Sequence, residues 1–175
     1  MKHFVLSIIL VAVCLPYASA KSGLHEPFEV TGSVIKNHDG DTITLRTDAR
    51  GIIKVRLSGA DTPETGQAYW RVARDALHRQ IADKPVTVRC YKQDWRKREV
   101  CHALVDGIDP ALALVKQGLA WYASMFADEL TPAMRSAYEQ AEAQARQQRI
   151  GLWQEAEPLP PWECRKLRKA HQKCR

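Results

Sequence analysis

The chain has 175 residues, 45% of them hydrophobic, so it can bury a real core and suits one domain with tails rather than several domains. Its 26 Lys and Arg residues outnumber 20 Asp and Glu residues, which gives a formal net charge of +6. The excess lies in residues 164–175, which hold six basic residues and no acid, whereas residues 21–163 hold nineteen basic and twenty acidic residues. The positive charge is therefore not spread over the whole chain but concentrated in its tail. Such a basic tail is typical of segments that bind nucleic acid or another anionic surface.

The first twenty residues have the pattern of a secretory signal. Lys2 and His3 precede an apolar run over residues 4–15, and small residues follow up to Ala20, after which we expect cleavage. The run is too short to span a membrane. We therefore expect an exported protein, secreted or periplasmic, with no stable membrane association after the signal is removed.

Three strands and a helix are predicted next. Residues 28–36, 43–46 and 52–57 alternate between apolar and polar side chains and are rich in β-branched residues, which predicts antiparallel strands joined by short loops. Pro63 is expected to begin a helix, whose apolar positions recur at helical spacing as far as Ile81.

The second half of the chain adds strands and helices. Residues 86–91 and 100–105 predict two more strands. Pro110 begins a second helix, and Pro132 begins a third that runs to Arg149. Five strands with helices after the third and the fifth match a mainly β protein, a small Greek-key barrel with about three packed helices.

Two carboxylate-rich turns stand at the ends of predicted strands. The first, N-H-D-G-D-T, contains Asp39 and Asp41, and the second, D-T-P-E, begins at Asp61. Carboxylates and a backbone carbonyl are the oxygen ligands that Ca²⁺ prefers, so Asp41 and Asp61 are candidate metal ligands. The alternative is that they only accept hydrogen bonds from N–H groups of their own turns, which is the role we expect for Asp39.

Two further side chains near these turns complete a set for phosphodiester hydrolysis. Arg56, five residues before Asp61, offers a planar fork for phosphate. Glu64, three residues after Asp61, offers a carboxylate that can take a proton from water.

Five segments, in order, resemble the staphylococcal-nuclease-like (thermonuclease) family over about residues 30–153. They are D-G-D-T at 39–42, R-L-x-G-x-D-T-P-E at 56–64, a downstream arginine in a basic hairpin, K-Q-G-L-A at 116–120 and G-L-W at 151–153. The resemblance implies an OB-type barrel and a Ca²⁺-dependent phosphodiesterase, an endonuclease that cuts DNA and RNA with low sequence specificity. The domains are then a signal at 1–20, a nuclease-like domain at 21–153, and a Pro-containing connector with a basic tail at 154–175.

The resemblance also implies roles for individual residues. Asp41, Asp61 and the backbone carbonyl of Thr62 would ligate calcium. Glu64 would be the general base that prepares water for attack on phosphorus, and Arg56 would bind the phosphate.

The family pattern also includes a second phosphate-binding arginine, for which this sequence offers two candidates. The family pattern is an acid, any residue, Tyr-Gly and then Arg, whereas residues 94–98 read D-W-R-K-R. Arg98 holds the matching position, but the missing glycine leaves Arg96 as an alternative.

The same hairpin predicts a nucleic-acid interface. Lys92, Arg96 and Lys97 add positive charge, and Trp95 and Tyr91 are aromatic neighbours on which bases could stack. We expect DNA and RNA as partners, a monomer as the oligomeric state, and a contribution of the basic tail to affinity. A non-catalytic nucleic-acid-binding OB module is the alternative function, although such a module has no reason to keep the whole set of metal-binding, base and arginine residues.

Four cysteines follow the signal, which predicts disulfides in an exported chain. The alternative, a zinc site, is disfavoured because the sequence contains no C-x₂-C pair. Cys90 and Cys101 end one strand and enter the next, so we expect them to be bridged. Cys164 and Cys174 pair only if the tail bends back, because ten helical residues would separate them by roughly 15 Å.

Overall fold

The computed structural model describes residues 25–174. The signal predicted at 1–20 therefore lies outside the described residues. Within residues 25–174, no helix is both long enough and apolar enough to cross a membrane.

A closed five-stranded barrel forms the body of the protein, which confirms the OB-type fold. Its strands are joined in the order β1-β2-β3-β6-β5, and β5 closes on β1. Only the β3–β6 pair is parallel among these five pairings. The barrel strands are β1 (Phe28–Asn37), β2 (Thr42–Thr47), β3 (Gly51–Leu57), β5 (Pro85–Gln93) and β6 (Glu99–Leu104).

Helices and two short strands surround the barrel. The α-helices are α1 (Trp70–Ile81), α2 (Pro110–Lys116), α3 (Pro132–Gln147) and α4 (Pro161–Lys169). The short strands β4 (Ala60–Asp61) and β7 (Trp121–Tyr122) pair with each other, and 3₁₀ turns occupy Ser124–Glu129 and Gly151–Gln154.

Strand alternation and helix caps follow from local sequence. Ile43, Leu45, Val86 and Val88 point into the barrel and are fully buried, whereas the residues between them are more polar. Asp109 caps α2 because its Oδ1 accepts hydrogen bonds from two backbone N–H groups of the first turn, at 2.9 and 3.0 Å. The predicted starts of the second and third helices are confirmed.

The predicted start of the first helix at Pro63 is wrong. Helix α1 begins at Trp70, and both Gly66 (φ 90°) and Tyr69 (φ 63°) before it have left-handed backbone that a right-handed helix does not contain. The backbone N–H of Glu64 donates to Oε1 of Gln67 at 2.8 Å instead. Glu64 therefore lies in a turn ahead of the helix.

The expected tail contains a fourth helix. After α4 the chain reverses at His171 (φ 57°), which brings the Cα atom of Cys174 to 5.1 Å from that of Cys164, and the two are bridged. Cys90 and Cys101 are bridged as well, since they face each other in the β5–β6 pairing with Cα atoms 4.0 Å apart. The tail therefore bends back between Cys164 and Cys174, as a disulfide between these two residues requires.

Candidate active site

The two carboxylate turns meet at one edge of the barrel. Asp61 belongs to β4, which is held by pairing with Trp121 of β7, and Thr62 follows directly. Gly40 of the first turn lies against Thr62: a Cβ atom on Gly40 would stand 2.6 Å from Thr62 Cγ2. Only glycine allows this approach, so the glycine of the first turn serves the contact between the two turns.

Asp41 is buried and fixed by the second turn. Its Oδ2 accepts hydrogen bonds from both the backbone N–H and the hydroxyl of Thr62, each at 2.8 Å. Its Oδ1 accepts from the hydroxyl of Thr42 at 3.1 Å. Asp39 has the turn role expected for it, because its Oδ1 accepts from the backbone N–H groups of Asp41 and Thr42 at 3.1 and 2.7 Å.

Arg56 joins the two candidate metal ligands. Its Nη1 lies 3.2 Å from Asp41 Oδ1 and its Nη2 lies 3.1 Å from Asp61 Oδ1. Nη1 also donates to the carbonyl oxygens of Leu57 and Ala60, both at 2.8 Å. The guanidinium is therefore anchored by backbone acceptors and balances the two buried carboxylates.

Burial and charge act differently on the two aspartates of the first turn. Burial, together with the nearby charge of Asp41, raises the pKa of Asp39 to about 7. Burial also acts to raise the pKa of Asp41, but the charge of Arg56 and the hydrogen bonds from Thr62 and Thr42 outweigh it, and this pKa lies below its ordinary value. Asp41 is thus ionised at neutral pH, whereas burial raises the pKa of Asp61 above its ordinary value.

Strand register brings Arg98 to the same site. Thr42 of β2 pairs with Arg56 of β3, and Arg56 pairs with Val100 of β6. Arg98 precedes that position by two residues, and its Nη1 donates to Thr42 Oγ1 at 3.1 Å while its Nε donates to Asp94 Oδ2 at 2.8 Å. Arg96, by contrast, is exposed and its guanidinium lies 4.6 Å from the ring of Trp95.

Lys97 explains how the hairpin tolerates the missing glycine. Its φ is 62°, the left-handed conformation that glycine adopts most easily, and its backbone N–H donates to Asp94 O at 2.9 Å. Lys97 therefore adopts a conformation that suits glycine, in the turn directly before Arg98.

The predicted nucleic-acid residues are arranged unequally. Lys92 pairs with Glu129 and lies 5.6 Å from the ring of Phe126. Among residues 25–174, no ion pair engages Arg96 or Lys97, and the neighbouring Trp95 is 80% exposed. This end of the hairpin thus combines free positive charge with an exposed aromatic ring.

One arginine that the sequence did not assign also reaches the site. Arg165 of α4 donates from Nη2 to Asp61 Oδ2 at 2.7 Å and from Nη1 to Glu64 Oε1 at 2.7 Å and Asp61 Oδ1 at 3.2 Å. Only the density of basic residues in the tail pointed towards it, and that signal suggested a role in affinity rather than a place beside Glu64.

The oxygen donors suit a hard divalent cation. Two buried carboxylates and the carbonyl oxygen of Thr62 are of the required type, and waters and a phosphate oxygen would have to supply the remaining ligands. Within residues 25–174, no group of three or more His, Cys, Asp or Glu side chains is arranged to hold a metal ion. Asp41, Asp61 and Thr62 are the described residues whose oxygen atoms are of a type that could hold such a cation.

Comparison with known proteins decides the family. The family model described as "Staphylococcal nuclease homologue" matches residues 54–155, which is more than half of the chain and includes Arg56, Asp61, Thr62, Glu64 and Arg98. The chain belongs to the staphylococcal nuclease family. This family is generally metal-dependent.

Similar proteins carry names that agree with the family. A protein of Escherichia coli O157:H7 named as an uncharacterized endonuclease is 34% identical over 136 residues, which cover 77% of this chain and 84% of that protein. One of the same name from Haemophilus influenzae is 31% identical over 139 residues, 79% of this chain and 75% of that protein. A staphylococcal-like nuclease of Arabidopsis thaliana is 34% identical over 113 residues, 65% of this chain but 33% of the plant protein. These relatives support a nuclease function for this member of the family.

Proposed function

We propose that this protein is an exported, Ca²⁺-dependent nuclease that hydrolyses phosphodiester bonds of DNA and RNA with low sequence specificity. The observation that carries the proposal is the meeting of both buried aspartates at Arg56, with Arg98 and Glu64 approaching the same point. A barrel that only bound nucleic acid would need the positive charge but not two buried carboxylates beside it.

The residues that would hold Ca²⁺ are Asp41, Asp61 and Thr62, the last through its backbone carbonyl. A cation bound there would polarise the phosphodiester and neutralise charge on it.

The side chains of the protein would divide the remaining work. Glu64 would accept the proton of the attacking water. Arg56 and Arg98 would donate hydrogen bonds to the phosphoryl oxygens, where negative charge develops during in-line attack. The resemblance to the family implies that the 5′-oxygen leaves, so the products would carry 3′-phosphate ends.

Two features support the remaining parts of the proposal. Two disulfides and the signal pattern at 1–20 favour an oxidising compartment outside the cytoplasm. Arg96, Lys97 and the exposed Trp95 offer charge and a stacking surface to a single strand, and such contacts carry little sequence information.

The test uses the full chain, expressed with its own N-terminal segment and recovered after export from a bacterial host. We expect cleavage of single-stranded DNA, duplex DNA and RNA in Ca²⁺, loss of cleavage in a chelator, and an N-terminus at Lys21 by mass spectrometry. Binding without cleavage in Ca²⁺ would favour the non-catalytic OB module instead. Full cleavage in a chelator would refute calcium dependence.

A further inference from the structure

Helix α4 packs against the rest of the fold through buried residues. Cys164 is fully buried, and Pro161 at the helix start is buried as well. The ring of Trp162 meets that of Trp121 edge to face at 6.3 Å, and Trp121 is the residue that pairs with Asp61. The disulfide from Cys164 to Cys174 fixes the chain that follows the helix. Because these anchors lie on both sides of it, Arg165 is held at the site by the fold.

A second link connects the tail to the turn that carries Glu64. The side chain of Gln67 donates from Nε2 to Leu159 O at 2.8 Å, and its Oε1 accepts from the backbone N–H of Glu64. The position of that turn therefore depends on the segment that leads into α4.

The carboxylate of Glu64 is oriented by α4 as well. Among the described residues, its side-chain contacts are with Arg165 at 2.7 Å and with Arg168 Nη1 at 3.7 Å. Arg165 binds both oxygens of Asp61 with the same guanidinium. A planar fork of this kind fixes the spacing and the angle between two carboxylates, which a single ammonium group cannot do.

The charges at the site are consistent with a permanent place for Arg165. Arg165 donates three hydrogen bonds, two to Asp61 and one to Glu64. Three carboxylates, Asp41, Asp61 and Glu64, face the guanidinium groups of Arg56, which is largely buried, and Arg165, which is half-buried.

We propose that Arg165 is a positioning residue of the nuclease site, which holds Glu64 and Asp61 at the mutual orientation that catalysis requires. This inference rests on the proposed function. Arg165 acts through the two carboxylates, so its loss should slow turnover more than it weakens substrate binding. Loss of Arg165 should not weaken the binding of a cation, because it removes a positive charge next to Asp61.

The test compares three variants with the full-length protein. Arg165→Met keeps the length of the stem but removes the fork, and Arg165→Lys keeps the charge but not the planar geometry. Lys166→Met is the matched control, since it removes the same charge from the same helix at a side chain that is 71% exposed and pairs with Glu163. Measurements are kcat and KM on single-stranded DNA, Ca²⁺ affinity by calorimetry, and thermal unfolding.

We expect Arg165→Met to lower kcat by roughly 10- to 100-fold, as loss of a residue that orients functional ligands does elsewhere. KM should change by less than about threefold and Ca²⁺ affinity should be equal or higher, by the charge argument above. Arg165→Lys should recover part of kcat, and Lys166→Met should retain all of it.

Other results would overturn the inference. Wild-type kcat in Arg165→Met would show that orientation by Arg165 is unnecessary, and a rise of kcat together with Ca²⁺ affinity would make Arg165 a blocking group instead. If Arg165→Met does not fold, Arg165→Lys decides, and wild-type kcat in that variant refutes the role of the fork. The wild-type protein separates the two proposals: if it does not cleave nucleic acid in Ca²⁺, the proposed function fails, whereas an active wild type beside a fully active Arg165→Met refutes only the role of Arg165.

Discussion

Replacing Arg98 by alanine should distinguish it sharply from Arg96, its neighbour in the hairpin. Arg98 is 18% exposed at its side chain and donates to Thr42, the residue after the candidate ligand Asp41. Arg96 is exposed and stacks on Trp95 away from that contact. The two substitutions remove the same charge from the same turn, but Arg98→Ala also removes the donor to Thr42 and the ion pair with Asp94.

The expected magnitudes follow from these positions. Removing one donor that stabilises developing charge in a partly buried site costs on the order of 10²–10³ in kcat, or about 2.7–4 kcal/mol. An exposed arginine that touches at most one phosphate of a single strand should mainly affect KM, and its loss should reduce the slope of log K against log salt by about 0.7. We therefore expect Arg98→Ala to be nearly inactive at saturating substrate and Arg96→Ala to keep kcat within a few-fold, by the same comparison of buried and exposed donors.

The assay is steady-state cleavage of a fluorescent single-stranded oligonucleotide at several salt concentrations. The hairpin should survive Arg98→Ala, because Asp94 keeps its hydrogen bonds from the backbone N–H groups of residues 96 and 98, and circular dichroism checks this. An inactive Arg96→Ala beside an active Arg98→Ala would refute the assignment.

Three further predictions concern the metal, the turn and the disulfide. Asp41→Asn preserves the shape of the side chain but removes a charge, so Ca²⁺ affinity measured by calorimetry should fall by at least roughly tenfold; unchanged affinity would exclude Asp41 as a ligand. Lys97→Gly should raise the free energy of unfolding, measured in urea, by about 0.5–1 kcal/mol, because the left-handed strain that glycine removes exceeds the extra conformational entropy that glycine loses on folding. A decrease in the free energy of unfolding would contradict the strain argument. Replacing both Cys90 and Cys101 by alanine opens a loop with a sequence separation of 11 and should cost about 3 kcal/mol in the same measurement; a change below about 1 kcal/mol would show that the bridge is not what stabilises the hairpin.

Much of the barrel could be predicted because its signals are local. Strand alternation depends on neighbouring side chains, and the caps of α2 and α3 depend on side chains that bond within one helical turn. The disulfide between Cys90 and Cys101 followed from the pairing of adjacent strands. For Pro63 a local signal was misleading, because the left-handed backbone at Gly66 and Tyr69 delays the helix and is not visible as a pattern.

The candidate site residues and the family could be read from the order of residues along the chain, because two aspartates, a glutamate and two arginines stand in short, characteristic motifs. The arrangement of these residues depends on packing between elements: Arg98 rather than Arg96 donates to Thr42, and Lys97 before it has left-handed backbone. Arg165 lies more than a hundred positions from Glu64 in sequence, and their contact depends on the docking of α4 beside β4 and β7. Periodicity and spacing encode which residues share a face of one element, but not which elements pack together, so no pattern in the basic tail could place one of its arginines on the carboxylate of Glu64.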